Sequence, residues 1–182
     1  MDIYLLRHCQ ASGQEANAPL TNKGYKQATA LQHALRDIHI DSIVASPYRR
    51  ALDSIAPVAQ SKDIAVKEDR RLVERRLSSN PIEDWREKLK ATFHDFTLSY
   101  PGGESSEQAQ IRAMSVLTDI QTEKRDCTLL VTHGNLLTLI LHAFNNNYGY
   151  DVWREMETPD LYHIKTRHLL HMDDMKKIKL HV

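Results

Sequence analysis

Two short apolar runs, each stopped by a histidine, constrain this chain more than any other feature of its sequence. Residues 3–6 read Ile-Tyr-Leu-Leu and run into Arg7-His8-Cys9. Residues 129–131 read Leu-Leu-Val and run into Thr132-His133-Gly134. Apolar runs of this length, bounded abruptly, suit strands buried inside a parallel sheet. Open sheets of that kind carry their chemistry just beyond the carboxyl ends of the strands. The two imidazoles are therefore expected to meet in one crevice.

The rest of the chain alternates helical and strand patterns. Thr21 is placed to cap a helix with Tyr25, Ala28, Leu31, Leu35 and Ile38 on one face, and Leu20 and Tyr25 form a candidate hydrophobic staple. A strand at residues 42–45 is followed by a helix over residues 50–59, which Pro57 should truncate or kink because proline lacks an amide donor. A short strand is expected at 64–66. Residues 78–103 break the pattern, with Trp85, Leu89, Phe93 and Phe96 at helical spacing between Asn80-Pro81 and Pro101-Gly102-Gly103. This reads as a short lid-like insertion. Ser105 with Gln108 predicts a capping box for a helix whose apolar side is Ala109, Ala113, Val116, Leu117 and Ile120. A strand at 128–132 leads to a helix with almost no polar face, and residues 161–166 and 169–172 read as antiparallel edge strands. Alternation of this kind implies an α/β sandwich with a mainly parallel central sheet. At 182 residues, it is expected to form a single domain over 1–182.

Four separated motifs carry the chemistry: Arg7-His8, then Ser46-Pro47-Tyr48-Arg49-Arg50-Ala51, then Arg71-Leu72-Val73-Glu74, and finally Thr132-His133-Gly134. In this order they resemble the histidine phosphatase superfamily, in its branch of phosphoglycerate-mutase-like phosphomonoesterases, from residue 2 to about residue 166. The resemblance implies a three-layer α/β/α sandwich. It also implies roles that suit the residue types. His8 would attack phosphorus and form a phosphohistidine, splitting hydrolysis into two easier steps. Arg7 and Arg50 would grip the phosphate through planar guanidinium forks. His133 would donate a further hydrogen bond as imidazolium, since a phosphate dianion raises its pKa, and the helix that Gly134 begins would favour an anion at its amides. Glu74 would protonate the departing alkoxide and later activate water. Glu104, in Gly-Gly-Glu-Ser, is a candidate to approach the pocket, and Gln14 and Asn17 are candidates to touch substrate from the first loop.

The chain departs from the family at Cys9, where glycine is usual. A β-carbon there would narrow the floor of the phosphate site or require another backbone angle. Cys9 as nucleophile is disfavoured, because the cysteine phosphatase signature needs an arginine six positions on and this chain has Glu15. Arg49, Arg75 and Arg76 are read as solvated neighbours of the functional residues. His163, His168 and His171 lack a Cys or carboxylate at zinc spacing, and are read as alternation on edge strands rather than a metal site. No metal and no cofactor are expected.

The expected reaction is metal-independent hydrolysis of a small phosphorylated substrate. Two readings remain beside it: a phosphoglycerate mutase that uses a bisphosphate primer, and a phosphate-binding or interaction module that has lost turnover. A protein-phosphohistidine phosphatase is a further variant, although such enzymes commonly lack an acid like Glu74. With 24 basic and 24 acidic side chains the formal net charge is +0, which disfavours a nucleic-acid partner. The two cysteines do not suggest a secreted disulfide scaffold, no apolar run approaches the length of a membrane span, and Met1-Asp2 leads directly into a strand. A soluble, cytoplasmic protein is expected; the sequence leaves the oligomeric state open.

Overall fold

The computed structural model describes residues 1–168 and 171–180. Six strands form one sheet in the order β3-β2-β4-β1-β5-β6. They are β1 (Asp2–Arg7), β2 (Ser42–Ala45), β3 (Val66–Glu68), β4 (Cys127–Thr132), β5 (Asp160–His168) and β6 (His171–Ile178). The four on one side, β3 to β1, run parallel, whereas β5 and β6 are antiparallel. The sheet is thus mainly parallel, with an antiparallel margin where two edge strands were expected. Positions 169 and 170 of the last expected strand lie outside the described residues. The lysines at 176 and 177 belong to β6 rather than following it.

Period-two alternation explains how the central strands serve two layers. Ile3 and Leu5 of β1 and Leu130 of β4 join one cluster, packed on α4 (Ser106–Thr122) and α5 (Gly134–Phe144). Leu6, Leu129 and Val131 point the other way, into a cluster with α1 (Asn22–Ala34) and α2 (Arg49–Lys62). Every residue of β4 is buried. Each fully buried leucine or valine there contributes roughly 1.5–3 kcal/mol. The result is the three-layer α/β/α sandwich.

Local signals were obeyed where they were complete. The Thr21 side chain accepts from the Gly24 amide, and Ser105 with Gln108 makes both hydrogen bonds of the capping box. Several expectations are corrected by packing. Tyr25 is 44% exposed rather than on the buried face, its hydroxyl donating to Asp53. Pro57 does not end α2, which runs on to Lys62 and closes at Asp63 with φ of 54°. One missing amide bond is outweighed by burial of Ile55, Val58 and Ala59 on either side. The third strand begins at Val66, because its parallel register with Ile43–Ala45 places residues 66–68, not 64–66, beside β2. Residues 78–103 contain α3 (Trp85–His94), of which Leu89 and Thr92 are buried while Trp85 is 44% exposed. A further helix, α6 (Tyr150–Glu155), was not foreseen. His163 pairs with Asp2 at 2.6 Å and stacks on Tyr4.

Candidate active site

Parallel pairing of β1 with β4, Arg7 against Thr132, brings both histidines to the same edge of the sheet. Their ring centroids are 5.0 Å apart, edge to face. His8 follows the last residue of β1 and is 8% exposed. Its Nδ1 lies 2.6 Å from the Cys9 carbonyl, and its Nε2 lies 3.1 Å from Arg50 Nε. A guanidinium can only donate, so Nε2 is the acceptor and Nδ1 carries the proton. Burial, together with Arg50 and Arg7, pulls the pKa of His8 down to about 3. The ring is therefore neutral, and the one lone pair of Nε2 is engaged by the Arg50 N–H.

Arg50 enters from the first turn of α2 and is 1% exposed. It is held on the far side by the carbonyls of Gln14 and Glu15, at 3.0 and 2.9 Å, and lies 4.9 Å from the centroid of the Tyr48 ring. The first loop is thus organised around the guanidinium. Arg7 donates to the Met156 carbonyl at 2.7 Å, and its Nε has no hydrogen-bond partner among the described residues. Gly134 makes room for it: a β-carbon at that position would stand 3.2 Å from Arg7 Cζ and Nε. Glycine is needed here for close approach rather than for an unusual φ.

His133 is fully buried, with Nε2 2.8 Å from Ser46 Oγ and its Nδ1 without a partner among the described residues. Tyr48 packs edge-on against the ring at 5.1 Å. Burial first, then the neighbouring His8, Arg50, Arg112 and Arg7, holds its pKa well below the ordinary value. The expected imidazolium is therefore not what the protein's own charges favour. A bound phosphate would act in the opposite direction.

The amides at the start of α5 hold a carboxylate of the chain itself. Glu74 Oε2 accepts from Asn135 at 3.1 Å, and Oε1 accepts from Leu136 at 3.0 Å and from Arg75 at 2.9 Å. Helix dipole and orphan amides favour the nearest anion, and Glu74 occupies that place. Its charge also acts on Arg7 and Arg50, opposing the effect of their burial.

The remaining candidates are placed differently. Gln14 contributes its backbone carbonyl to Arg50, while its side chain is exposed. Asn17 is also exposed, beside Ala16, whose carbonyl takes the Arg49 amide. Glu104 is paired by Arg112, which also donates to the Arg71 carbonyl at 2.5 Å. Cys9 turns into the core under α1 and α2, with its amide donating to Ser54 Oγ at 2.8 Å. Its φ is not among the positive ones, so no glycine is required, and burial pushes its thiol up to about 11. The expected change of backbone angle therefore does not arise.

Arg75 corrects the reading of it as solvated: it is 6% exposed and donates to Thr92 at 2.7 Å and to the Glu104 carbonyl at 3.1 Å. Arg49 and Arg76 are exposed as expected. Ser46 and Tyr48 belong to the second motif, and their contacts with His133 follow from β2 lying beside β4. A cleft of about 800 Å³ also borders Arg7, lined further by Lys23, Gln27 and Lys177 and not by His8.

The profile of the histidine phosphatase superfamily (branch 1) matches residues 3–170. A protein of Salmonella choleraesuis (strain SC-B67) named "Probable phosphoglycerate mutase GpmB" is 26% identical over 173 residues, covering 85% of this chain and 78% of its own length. A mycobacterial glucosyl-3-phosphoglycerate phosphatase, solved with inorganic phosphate, superposes with a TM-score of 0.78 at 21% identity, covering 100% of this chain and 97% of the other. A phosphoglycerate mutase from Bacillus anthracis str. Sterne gives a TM-score of 0.72 at 18% identity, covering 90% and 87%. At such identities the two structures speak to the fold alone.

Proposed function

Because the chain belongs to the histidine phosphatase superfamily, branch 1, we propose that it is a phosphomonoesterase that hydrolyses small phosphate monoesters through a phosphohistidine on His8. The observation that carries this reading is the tautomer of His8. The Cys9 carbonyl holds the proton on Nδ1 and leaves Nε2 unprotonated; its lone pair becomes the nucleophile once the Arg50 Nε–H turns from it to a phosphate oxygen. As Nε2 bonds to phosphorus, the ring becomes positive, and the Nδ1–H bond to Cys9 strengthens to stabilise that charge.

Arg7 and Arg50 take the non-bridging oxygens; the carbonyls of Gln14 and Glu15 anchor Arg50 through Nη1 while its Nε exchanges His8 for a phosphate oxygen. The unpartnered Nδ1 of His133 and Nε of Arg7 are further groups awaiting an anion. Glu74 is the group placed to give a proton to the alkoxide as the P–O bond breaks. Among the described residues Oε2 accepts from Asn135 alone and retains a second lone-pair direction for that proton. In the second half-reaction Glu74 takes a proton from water, the water attacks phosphorus, and the P–N bond breaks to regenerate neutral His8. Each step is served by protein side chains, and the reaction proceeds without a metal ion or cofactor.

The whole chain, 1–182, acts as one domain, with residues 78–103 as a lid-like insertion over the site. The absence of longer insertions is what favours hydrolysis over a mutase, which must retain and turn its intermediate. Buried, unpaired Cys9 and Cys127 are in keeping with a reducing cytoplasm.

The test is phosphate release from a panel including p-nitrophenyl phosphate and 3-phosphoglycerate, by wild type and His8→Ala side by side. A parallel lane follows 3-phosphoglycerate to 2-phosphoglycerate with a bisphosphate primer. Hydrolysis that survives chelation and is abolished by the substitution supports the proposal. Isomerisation outpacing hydrolysis would replace it with the mutase, and bound phosphate without turnover would replace it with a binding module.

A further inference from the structure

The phosphate-binding groups account for one end of a substrate. We propose that Trp85, Trp153 and Asn135 form a subsite for the other end, and that the alcohol released is built on a flat ring with a hydrogen-bonding edge. This rests on the phosphatase reading above and adds to it the class of leaving group.

The two indoles come from separate elements, α3 and α6, and meet edge to face with centroids 6.0 Å apart. They stand between two adjoining hollows. One, of about 390 Å³, is bordered by Arg7 and Met156, with Arg86 and Arg154 at its rim. The other, of about 140 Å³, is bordered by Glu74, Arg75, Leu89 and Asn135. Arg7 is the phosphate ligand and Glu74 the group that protonates the bridging oxygen. Both hollows are lined by the indole pair, which thus offers a place for whatever is attached to that oxygen. Trp85 is nevertheless 44% exposed.

Asn135 gives an independent indication. It is 5% exposed, yet neither Nδ2 nor Oδ1 has a hydrogen-bond partner among the described residues, and Arg75 Nη2 is likewise unpartnered. Buried amides are ordinarily satisfied, and this one lines the hollow beside Glu74. The chemistry of the occupant follows from the combination. Indole faces and edges match a planar ring, an amide offers one donor and one acceptor together, and Arg86, 5.0 Å from the centroid of Trp85, keeps the rim cationic. A small polyol phosphate would leave the indole surface unused.

Ethyl phosphate and 2-phenylethyl phosphate both release primary alkoxides, so the ratio of their kcat/KM values reads ring binding rather than leaving-group acidity. The wild type is expected to favour the phenylethyl ester by about tenfold or more, and Trp85→Ala or Trp153→Ala to lower that ratio by about five- to tenfold, with Trp85→Phe retaining most of it. Asn135→Leu is expected to remove a preference of about tenfold for the 4-carbamoyl derivative of the phenylethyl ester over the parent. Ratios are taken within each variant, so a loss of folded protein cancels. If the wild type hydrolyses ethyl and phenylethyl esters equally well, the subsite is overturned and the phosphatase stands. Hydrolysis of neither, with p-nitrophenyl phosphate also untouched, overturns the phosphatase reading itself.

Discussion

His8→Asn is expected to weaken the dependence of stability on pH between pH 7 and 5. His8 is 8% exposed, and its pKa is drawn down to about 3 by burial and by Arg50 and Arg7. In the unfolded chain the same imidazole titrates near the ordinary value of about 6.5. As pH falls below that value, the unfolded state takes up a proton that the folded state does not, and stability drops. Above it neither state binds the proton, and the contribution is fully present. Integrated from pH 7 to 5, one such histidine removes about 2 kcal/mol from the unfolding free energy. His133, also held well below its ordinary value, acts in the same direction and remains in the variant. Wild type should therefore lose about 2 kcal/mol more than His8→Asn over this interval. Urea denaturation at the two pH values, followed by tryptophan fluorescence, measures the difference. Equal losses in the two proteins would refute the reasoning, because they would mean that His8 accepts a proton in the folded site as readily as in the unfolded chain.

Other expectations concern single contacts. Glu74→Gln should slow ethyl phosphate by about a hundredfold but p-nitrophenyl phosphate by only a few-fold, since a good leaving group needs little protonation; equal slowing would remove Glu74 as the acid. Gly134→Ala places a β-carbon 3.2 Å from the Arg7 guanidinium. It should raise KM for every phosphomonoester by about fivefold through a displaced fork, and an unchanged KM would show that Arg7 has room to yield. Arg112→Ala breaks the pairing with Glu104 and the bond to the Arg71 carbonyl, both partly exposed. A loss of about 1–2 kcal/mol is expected in thermal or urea unfolding, with no loss arguing that the pair is a surface ornament.

The parts of this protein that could be read without coordinates are those whose determinants lie close together in the chain. Thr21 caps α1 through Gly24, and Ser105 and Gln108 close a box within one turn. The convergence of the candidate site was partly legible for a related reason: Arg7, His8 and His133 sit where an apolar run ends in a polar residue, whereas Arg50, inside the first turn of α2, was picked out by the resemblance of its motif. What was misread depended on neighbours far away in sequence. Arg75 looks like one of three solvated arginines until α3 brings Thr92 to it. Tyr25 has helical spacing with the core residues, yet Asp53 of α2 draws its hydroxyl to the surface. Val66, not Ile64, begins β3, because register with β2 decides which residues are hydrogen-bonded.

By itself, the sequence determined that strands and helices alternate, that two strands end in histidine, and that forked cations accompany them, since periodicity and composition act over a few residues. Only the tertiary structure decided the chemistry of those groups. The tautomer of His8 depends on Arg50, 42 positions away, and the partner of the α5 amides is Glu74, 61 and 62 positions before them. The indole pair joins α3 to a helix that no local pattern announced. Proton position, burial and leaving-group space are properties of groups packed against one another. They exist only once the sheet order has been set.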